Sequence, residues 1–147
     1  MTAIKAVAAP ARPNGAVAQP PEDARPMQDH SYQQLTAQVS QHLAGLRSST
    51  PGVMKAFGEL GRAATAPGAL DAKTKELIAL ALSVAVRCDP CIGFHTQALA
   101  KLGATRQEVD ETLGVATYMG GGPSLMYAAS AVAAFDEAVA ARASAAA

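Results

Sequence analysis

Both cysteines of the chain and one of its three histidines fall in a single stretch, Arg87 to His95, with the order RCDPCIGFH. Two thiols at this spacing can cycle between dithiol and disulfide, ligate a metal, or simply fill space. A c-type haem attachment requires histidine directly after the second cysteine, and Ile92 stands there instead. A structural zinc site closes with four nitrogen or sulfur ligands, whereas only Cys88, Cys91 and His95 lie together and His30 and His42 stand far back in the sequence. A three-ligand catalytic zinc with water as the fourth ligand stays open, as does the plainer reading of two small buried thiols beside a surface histidine. The loop that a Cys88–Cys91 bridge would close is too short to stabilise a fold, so the spacing suits chemistry better than architecture. Dithiol redox chemistry is the reading favoured here.

A helix start positions these groups. Asp89-Pro90 carries a cap-then-proline signature and is expected to open a helix running to about Leu102, with Gly103 past its end. Cys88 then falls in the preceding turn and Cys91 in the first turn, where unpaired backbone N–H groups and the helix dipole favour an anion. Cys91 is on this ground the easier thiolate. His95 follows it by one helical turn on the same face, within reach of the sulfur.

A reactive thiolate is not sufficient for peroxide chemistry. Lowering a cysteine pKa from about 8.5 to about 6.5 raises the thiolate fraction at neutral pH roughly 25-fold, but the loss of nucleophilicity removes about 8-fold of that, leaving about 3-fold. The larger barrier is expulsion of an alkoxide or hydroxide, which needs a positioned acid. His95 is the natural donor, and a carboxylate behind it would tune and reload it. Glu76 is the sole acid between Asp71 and Cys88. The competing reading of Glu76 is an ordinary acid near a helix N-terminus, beside Lys73 and Lys75. On a straight helix Glu76 stands about 18 Å from Cys88 while His95 is only about 6 Å beyond Cys91. A relay between them therefore demands an oblique crossing, an early end to the helix that carries Glu76, or a bridging water.

The rest of the chain supplies helices. Residues 1–28 hold five of the nine prolines and no aromatic residue, cannot bury enough apolar surface to offset ordering, and are expected to form a disordered Ala/Pro-rich tail. Pro10 and Pro13 interrupt any signal-peptide core, so export is not expected. Residues 29–147 are expected to be one all-α domain, a bundle of about six helices. Leu35, Val39, Leu43 and Leu46 form the apolar stripe of the first, and Thr50-Pro51 caps the second, with Val53, Met54, Phe57 and Leu60 as its face. Asp71 caps a third, from residue 72 to about 87, whose near-continuous apolar character marks it as the buried one. After the cysteine-bearing fourth, Thr105-Arg-Gln-Glu108 is a capping box opening a fifth that carries Val109, Leu113, Ala116 and Met119. Gly120-Gly121-Gly122-Pro123 breaks the chain before a sixth, Ser124 to about Ala141. Tyr118 and Tyr127 flank that break and are candidates for the site entrance, although buried tyrosines with satisfied hydroxyls are commoner.

Net charge is zero over 147 residues and no basic stripe appears, which disfavours nucleic acid. The longest apolar run, Leu77 to Val86, is about half of a membrane span, so no membrane association and a cytoplasmic, soluble chain are expected. Small side chains dominate and aromatics are few, a composition that gives a thin core and makes oligomerisation an expectation.

Glu76, the C-x-x-C beginning at Cys88, and a histidine four residues after Cys91 together resemble the AhpD-like alkylhydroperoxidases of the carboxymuconolactone decarboxylase superfamily. The resemblance runs from about Pro51 to Phe135 and includes KTKELIALALSVAVRCDPCIGFHTQALAKLGATRQEVDETL and the following YMGGGP. It implies an all-helical subunit assembling into a homotrimer or hexamer, and thiol-dependent, peroxiredoxin-type reduction of hydroperoxides with an antioxidant role. It further implies that Cys88 and Cys91 form the redox-active disulfide, with Glu76 and His95 as proton relay. No bound cofactor or metal is implied. The electrons would come from an external dithiol, dihydrolipoamide on a lipoylated protein or a thioredoxin-like donor. One well-known member has a histidine where Pro90 stands. True decarboxylases of the superfamily lack the cysteine pair, and its presence here argues against that activity. The alternatives are a general dithiol-disulfide oxidoreductase without a physiological peroxide substrate, and a non-catalytic oligomeric helical protein.

Overall fold

A computed structural model of the chain describes residues 31–145, so the tail expected over residues 1–28 and the side chain of His30 lie outside the described residues. The described residues form five helices and no strand: α1 (Tyr32–Ser49), α2 (Pro51–Thr65), α3 (Ala72–Ala85), α4 (Asp89–Lys101) and α5 (Arg106–Ala145). All six expected helical segments are found, the last two fused into α5. Gly121 sits between them at φ 65° and ψ −157°, a backbone region open to glycine alone, so α5 is two helices joined at a sharp kink. Pro123 follows at the start of the second segment, where its missing N–H costs nothing.

Local chemistry sets most boundaries as expected. The Asp71 carboxylate accepts from the Thr74 N–H at 2.7 Å and starts α3. Thr105 and Glu108 close a reciprocal capping box, Thr105 N–H to Glu108 Oε2 at 2.7 Å and Glu108 N–H to Thr105 Oγ1 at 3.2 Å. Two expected caps differ. The Thr50 hydroxyl makes no cap bond to α2 but turns back to the Leu46 carbonyl at 2.8 Å, terminating α1 instead. At the head of α4 the cap residue is Cys88, and Asp89 is already helical, because its carboxylate is taken by a tyrosine from α1.

Helices α3, α4 and the two halves of α5 enclose the core. Leu80 and Val84 of α3, Ile92 and Leu99 of α4, and Val109, Leu113, Ala131, Ala134 and Phe135 of α5 are buried together. In the second half of α5 the buried positions Ser124, Ala128, Ala131, Phe135 and Ala138 recur at three- and four-residue steps, so short side chains bring that helix close to its neighbours. Met119, expected on the inner face, is instead largely exposed beside the kink. α1 is held differently from its expected stripe. Its one buried residue is Thr36, and it rests on α4 at Gly93, where an added Cβ would stand 2.6 Å from Thr36 Cγ2 and 3.2 Å from Tyr32 Cδ1. No residue of α2 is buried, and Val53, Phe57 and Leu60 face outward.

The contact at Gly93 predicts that Gly93→Ala lifts α1 off α4. Overpacking of this kind costs about 1–3 kcal/mol, which urea denaturation monitored by circular dichroism would read as a lower midpoint at unchanged slope.

Candidate active site

The site is built on the α3–α4 hairpin. α3 closes with a reverse turn in which the Cys88 N–H reaches the Ser83 carbonyl at 3.0 Å and the Arg87 N–H reaches Val84 at 3.2 Å. This motif needs a left-handed residue at its corner. α4 ends in the same motif on Gly103, but α3 ends on Arg87 at φ 60°. Any L-residue there costs about 1–2 kcal/mol. The turn delivers the chain directly into Cys88, the N-cap of α4, and from there into Cys91 in the first turn. The two cysteines are joined as a disulfide with their Cα atoms 5.2 Å apart. The structure therefore holds the oxidised pair, at the positive end of the α4 dipole.

Glu76 faces α4 from the first half of α3. Its helical period places it on the same stripe as Leu80 and Val84, both fully buried, so the carboxylate points into the bundle rather than to solvent. His95 lies one turn past Cys91 on α4, and its Nδ1 stands 2.7 Å from Glu76 Oε2. The side chains are 31% exposed for His95 and 13% for Glu76, so the carboxylate is the inner member and the ring the outer one. The lysines that could have taken Glu76 are engaged elsewhere. Lys73 pairs with Glu108 at 2.5 Å, and Lys75 donates to the Ala66 carbonyl at 2.6 Å. α3 stops at Ala85, ahead of the end expected near residue 87, and the direct bond meets the geometric demand with no intervening group.

This pairing fixes the chemistry of the ring. With Nδ1 held by a carboxylate, the proton-exchanging nitrogen left for a reacting group is Nε2. The carboxylate behind the imidazole holds the ring in one orientation. Glu76 and His95 thus meet across the hairpin, and His95 stands one helical turn along α4 from Cys91 of the disulfide. Among the described residues no group of three or more His, Cys, Asp and Glu side chains is arranged to hold a metal ion.

The model of the carboxymuconolactone decarboxylase family matches residues 51–135, which include the whole hairpin and both halves of the kinked helix up to Phe135. The chain belongs to the carboxymuconolactone decarboxylase family. It is similar to a family member from Legionella pneumophila solved in its apo form, with 56% identity, a TM-score of 0.73, and coverage of 74% of this chain and 96% of that one. It is also similar to a family member from Thermotoga maritima, described as a candidate participant in an antioxidative response, at 33% identity and a TM-score of 0.63 over 69% of this chain and 87% of that one. An uncharacterized protein from Cupriavidus necator is 42% identical over 99 residues, 67% of this chain and 88% of its own.

Around the disulfide and the Glu76–His95 pair the structure adds residues that the sequence did not single out. Tyr32, at the start of α1, donates its hydroxyl to Asp89 Oδ1 at 3.1 Å. Burial first, and then the negative charge of Asp89, push the Tyr32 phenol up to about 12. Glu137 of α5 caps α1, accepting from the Tyr32 N–H at 2.9 Å, the Gln33 N–H at 3.1 Å and the Ser31 hydroxyl. Gln97 of α4 donates to Thr36 Oγ1 at 2.9 Å. No sequence pattern marks these pairs, since each joins residues more than 50 positions apart. Of the two tyrosines flanking the glycine run, Tyr118 is exposed, whereas Tyr127 packs against the core. His42 is exposed on α1, away from the hairpin.

Partial burial pulls the Glu137 carboxyl up, but the bonds from Ser31, Gln33 and Tyr32 outweigh it and hold it below the usual value of 4.5. A depressed folded-state value means stability that is complete above the unfolded value and is lost as pH falls through the folded one. Glu137→Gln is therefore expected to lower stability at neutral pH by about 1–2 kcal/mol, the scale of a lost helix cap, and to flatten the decline below pH 4.5. Thermal unfolding of both proteins between neutral and acid pH checks both parts.

Proposed function

We propose that the chain is a thiol-dependent peroxidase in which Cys88 and Cys91 cycle between dithiol and disulfide and the Glu76–His95 pair moves the protons. The observation that carries this reading is the 2.7 Å bond between Glu76 and His95, one helical turn from a disulfide at a helix N-terminus. A largely enclosed carboxylate that fixes the orientation of an imidazole beside a cysteine pair is the arrangement a general acid requires.

In the reduced protein the Cys91 thiolate attacks the terminal oxygen of a hydroperoxide. The O–O bond breaks, its electron pair leaves on the alkoxide, and His95 supplies the proton that releases an alcohol. Cys91 is now a sulfenic acid. Cys88 attacks it, forming the Cys88–Cys91 disulfide and expelling hydroxide, which takes up the Cys88 proton and leaves as water. Glu76 holds the imidazole in orientation through its bond to Nδ1. An external dithiol, on a lipoylated or a thioredoxin-like protein, then reduces the disulfide with two electrons and two protons and closes its own disulfide. Donors of this kind are kept reduced in the cytoplasm, which we take as the compartment.

Turnover of cumene hydroperoxide with dihydrolipoamide tests the reading. His95→Ala should lose about 10²- to 10⁴-fold in kcat/KM, the range for a removed general acid. Glu76→Gln should lose about 10- to 100-fold, the scale for other carboxylates behind a working histidine. Disulfide exchange with dihydrolipoamide but no peroxide-dependent turnover would instead mark a general dithiol-disulfide oxidoreductase.

The working unit we propose is a homo-oligomer, a trimer or hexamer as the resemblance implies. Val53, Phe57 and Leu60 on α2 are 65–71% exposed, and Ile78 and Leu82 on α3 and Val86 just past its end are also exposed. Contiguous apolar surface of this extent on one subunit marks an interface. Phe57→Asp combined with Leu60→Asp should reduce the sedimenting species to the 14.9 kDa single chain. A wild-type protein already sedimenting at that mass would remove the proposal.

A further inference from the structure

α1 takes no part in the proposed relay, yet its first turn lies against the first turns of α4, where the residues between the cysteines sit. Gly93 lets the Tyr32 ring and Thr36 sit directly on the first turns of α4. Glu137 fixes the backbone of Tyr32 from α5, and the Tyr32 hydroxyl fixes Asp89 on α4. Tyr32 is thus pinned at both ends, between the second half of α5 and the residue that follows Cys88.

Asp89 is the first residue of α4, between the two cysteines. A carboxylate in that position is drawn to the free N–H groups at the helix start. Those groups are also what stabilises a thiolate on Cys88 or Cys91, and they are scarce. Pro90 has no N–H, and the Cys88 side chain makes no cap bond. Carboxylate and thiolate therefore compete as like charges for one small positive region. The Tyr32 hydroxyl, kept protonated across the working range by its raised pKa, offers the carboxylate another partner.

Resting on the dithiol reading above, we propose that Tyr32 is a positioning residue: it holds the Asp89 carboxylate away from the start of α4, reserves that end for the cysteine thiolate, and so sets the reduction potential of the Cys88–Cys91 pair. When a dithiol reduces the pair, the S–S bond takes two electrons and two protons and the reductant closes its own disulfide. At neutral pH one released thiol then gives its proton to solvent and remains as thiolate. Several charged or titratable groups surround this end. Glu76 and Arg87 come from α3 and its closing turn, His95 and Asp89 from α4, and Tyr127 of α5 acts on Tyr32. Asp89 is the one whose place Tyr32 sets.

The test is the equilibrium of the full chain with mixtures of reduced and oxidised dithiothreitol, quenched by alkylation and read by mass, with no peroxide present. Tyr32→Phe keeps the ring on Gly93 and removes only the hydroxyl. It should shift the equilibrium about 3- to 10-fold toward the disulfide, a potential about 14 to 30 mV more negative, and move the pH profile of iodoacetamide alkylation upward. Glu137→Gln, which loosens the anchor of Tyr32, should shift it in the same direction by less. Asp89→Asn should shift it toward the dithiol, and Tyr32→Phe should add nothing in the Asp89→Asn background. An equilibrium unchanged in Tyr32→Phe, or one shifted equally with and without Asp89→Asn, would overturn the role of Tyr32 while leaving the peroxidase reading intact. A cysteine pair that dithiothreitol cannot reduce would overturn both.

Discussion

The meeting of one carboxylate with one imidazole constrains everything around it. Glu76 is nearly buried, and a carboxylate removed from water is costly unless a partner compensates it. His95 is that partner, so the bond is as much a condition for packing α3 as a piece of chemistry. It also sets the hairpin. α3 must end soon enough, and turn tightly enough, for a residue early in one helix to lie beside a residue midway along the next. The closing turn accordingly uses a compact motif even though its corner residue, Arg87, is one that pays for a left-handed backbone.

The same hairpin end is held from its other side by α1. Tyr32, Thr36 and Gly93 bring a third helix onto the first turns of α4, and Glu137 ties that helix to α5. The cysteines therefore sit on a helix start clamped between α3 and α1. Rigidity of this kind matters to a dithiol, because the free energy difference between disulfide and dithiol depends on charges a few ångströms away. The network joins Asp89, Tyr32 and Glu137 across three helices, and only Asp89 lies within the cysteine-histidine stretch itself.

The single chain leaves much apolar surface uncovered. Its core is built largely from alanine and leucine with one buried phenylalanine, and α2 contributes no buried residue to it. Short side chains allow close helix approach but remove less area from water per residue. The apolar side chains Val53, Phe57 and Leu60 of α2 face outward.

What the sequence determined by itself was local. The helical period, the Asp71 cap, the Thr105–Glu108 capping box and the break at Gly121 each depend on residues within one turn of one another, and all are found where the residue types demand them. The Cys88–Cys91 spacing and the place of His95 one turn beyond are local for the same reason. Only the tertiary structure decided which side chains meet across helices. A straight-helix projection left Glu76 out of register with His95, yet the two are in direct contact, because the length of α3 and its closing turn, and not residue spacing, fix that distance. Thr50 and Asp89 carry the composition of caps and do not act as caps, since one hydroxyl finds a carbonyl behind it and one carboxylate finds a tyrosine 57 residues away. A side chain's choice among partners is an energy comparison over the folded neighbourhood, and residue types along the chain specify only the partners within a turn.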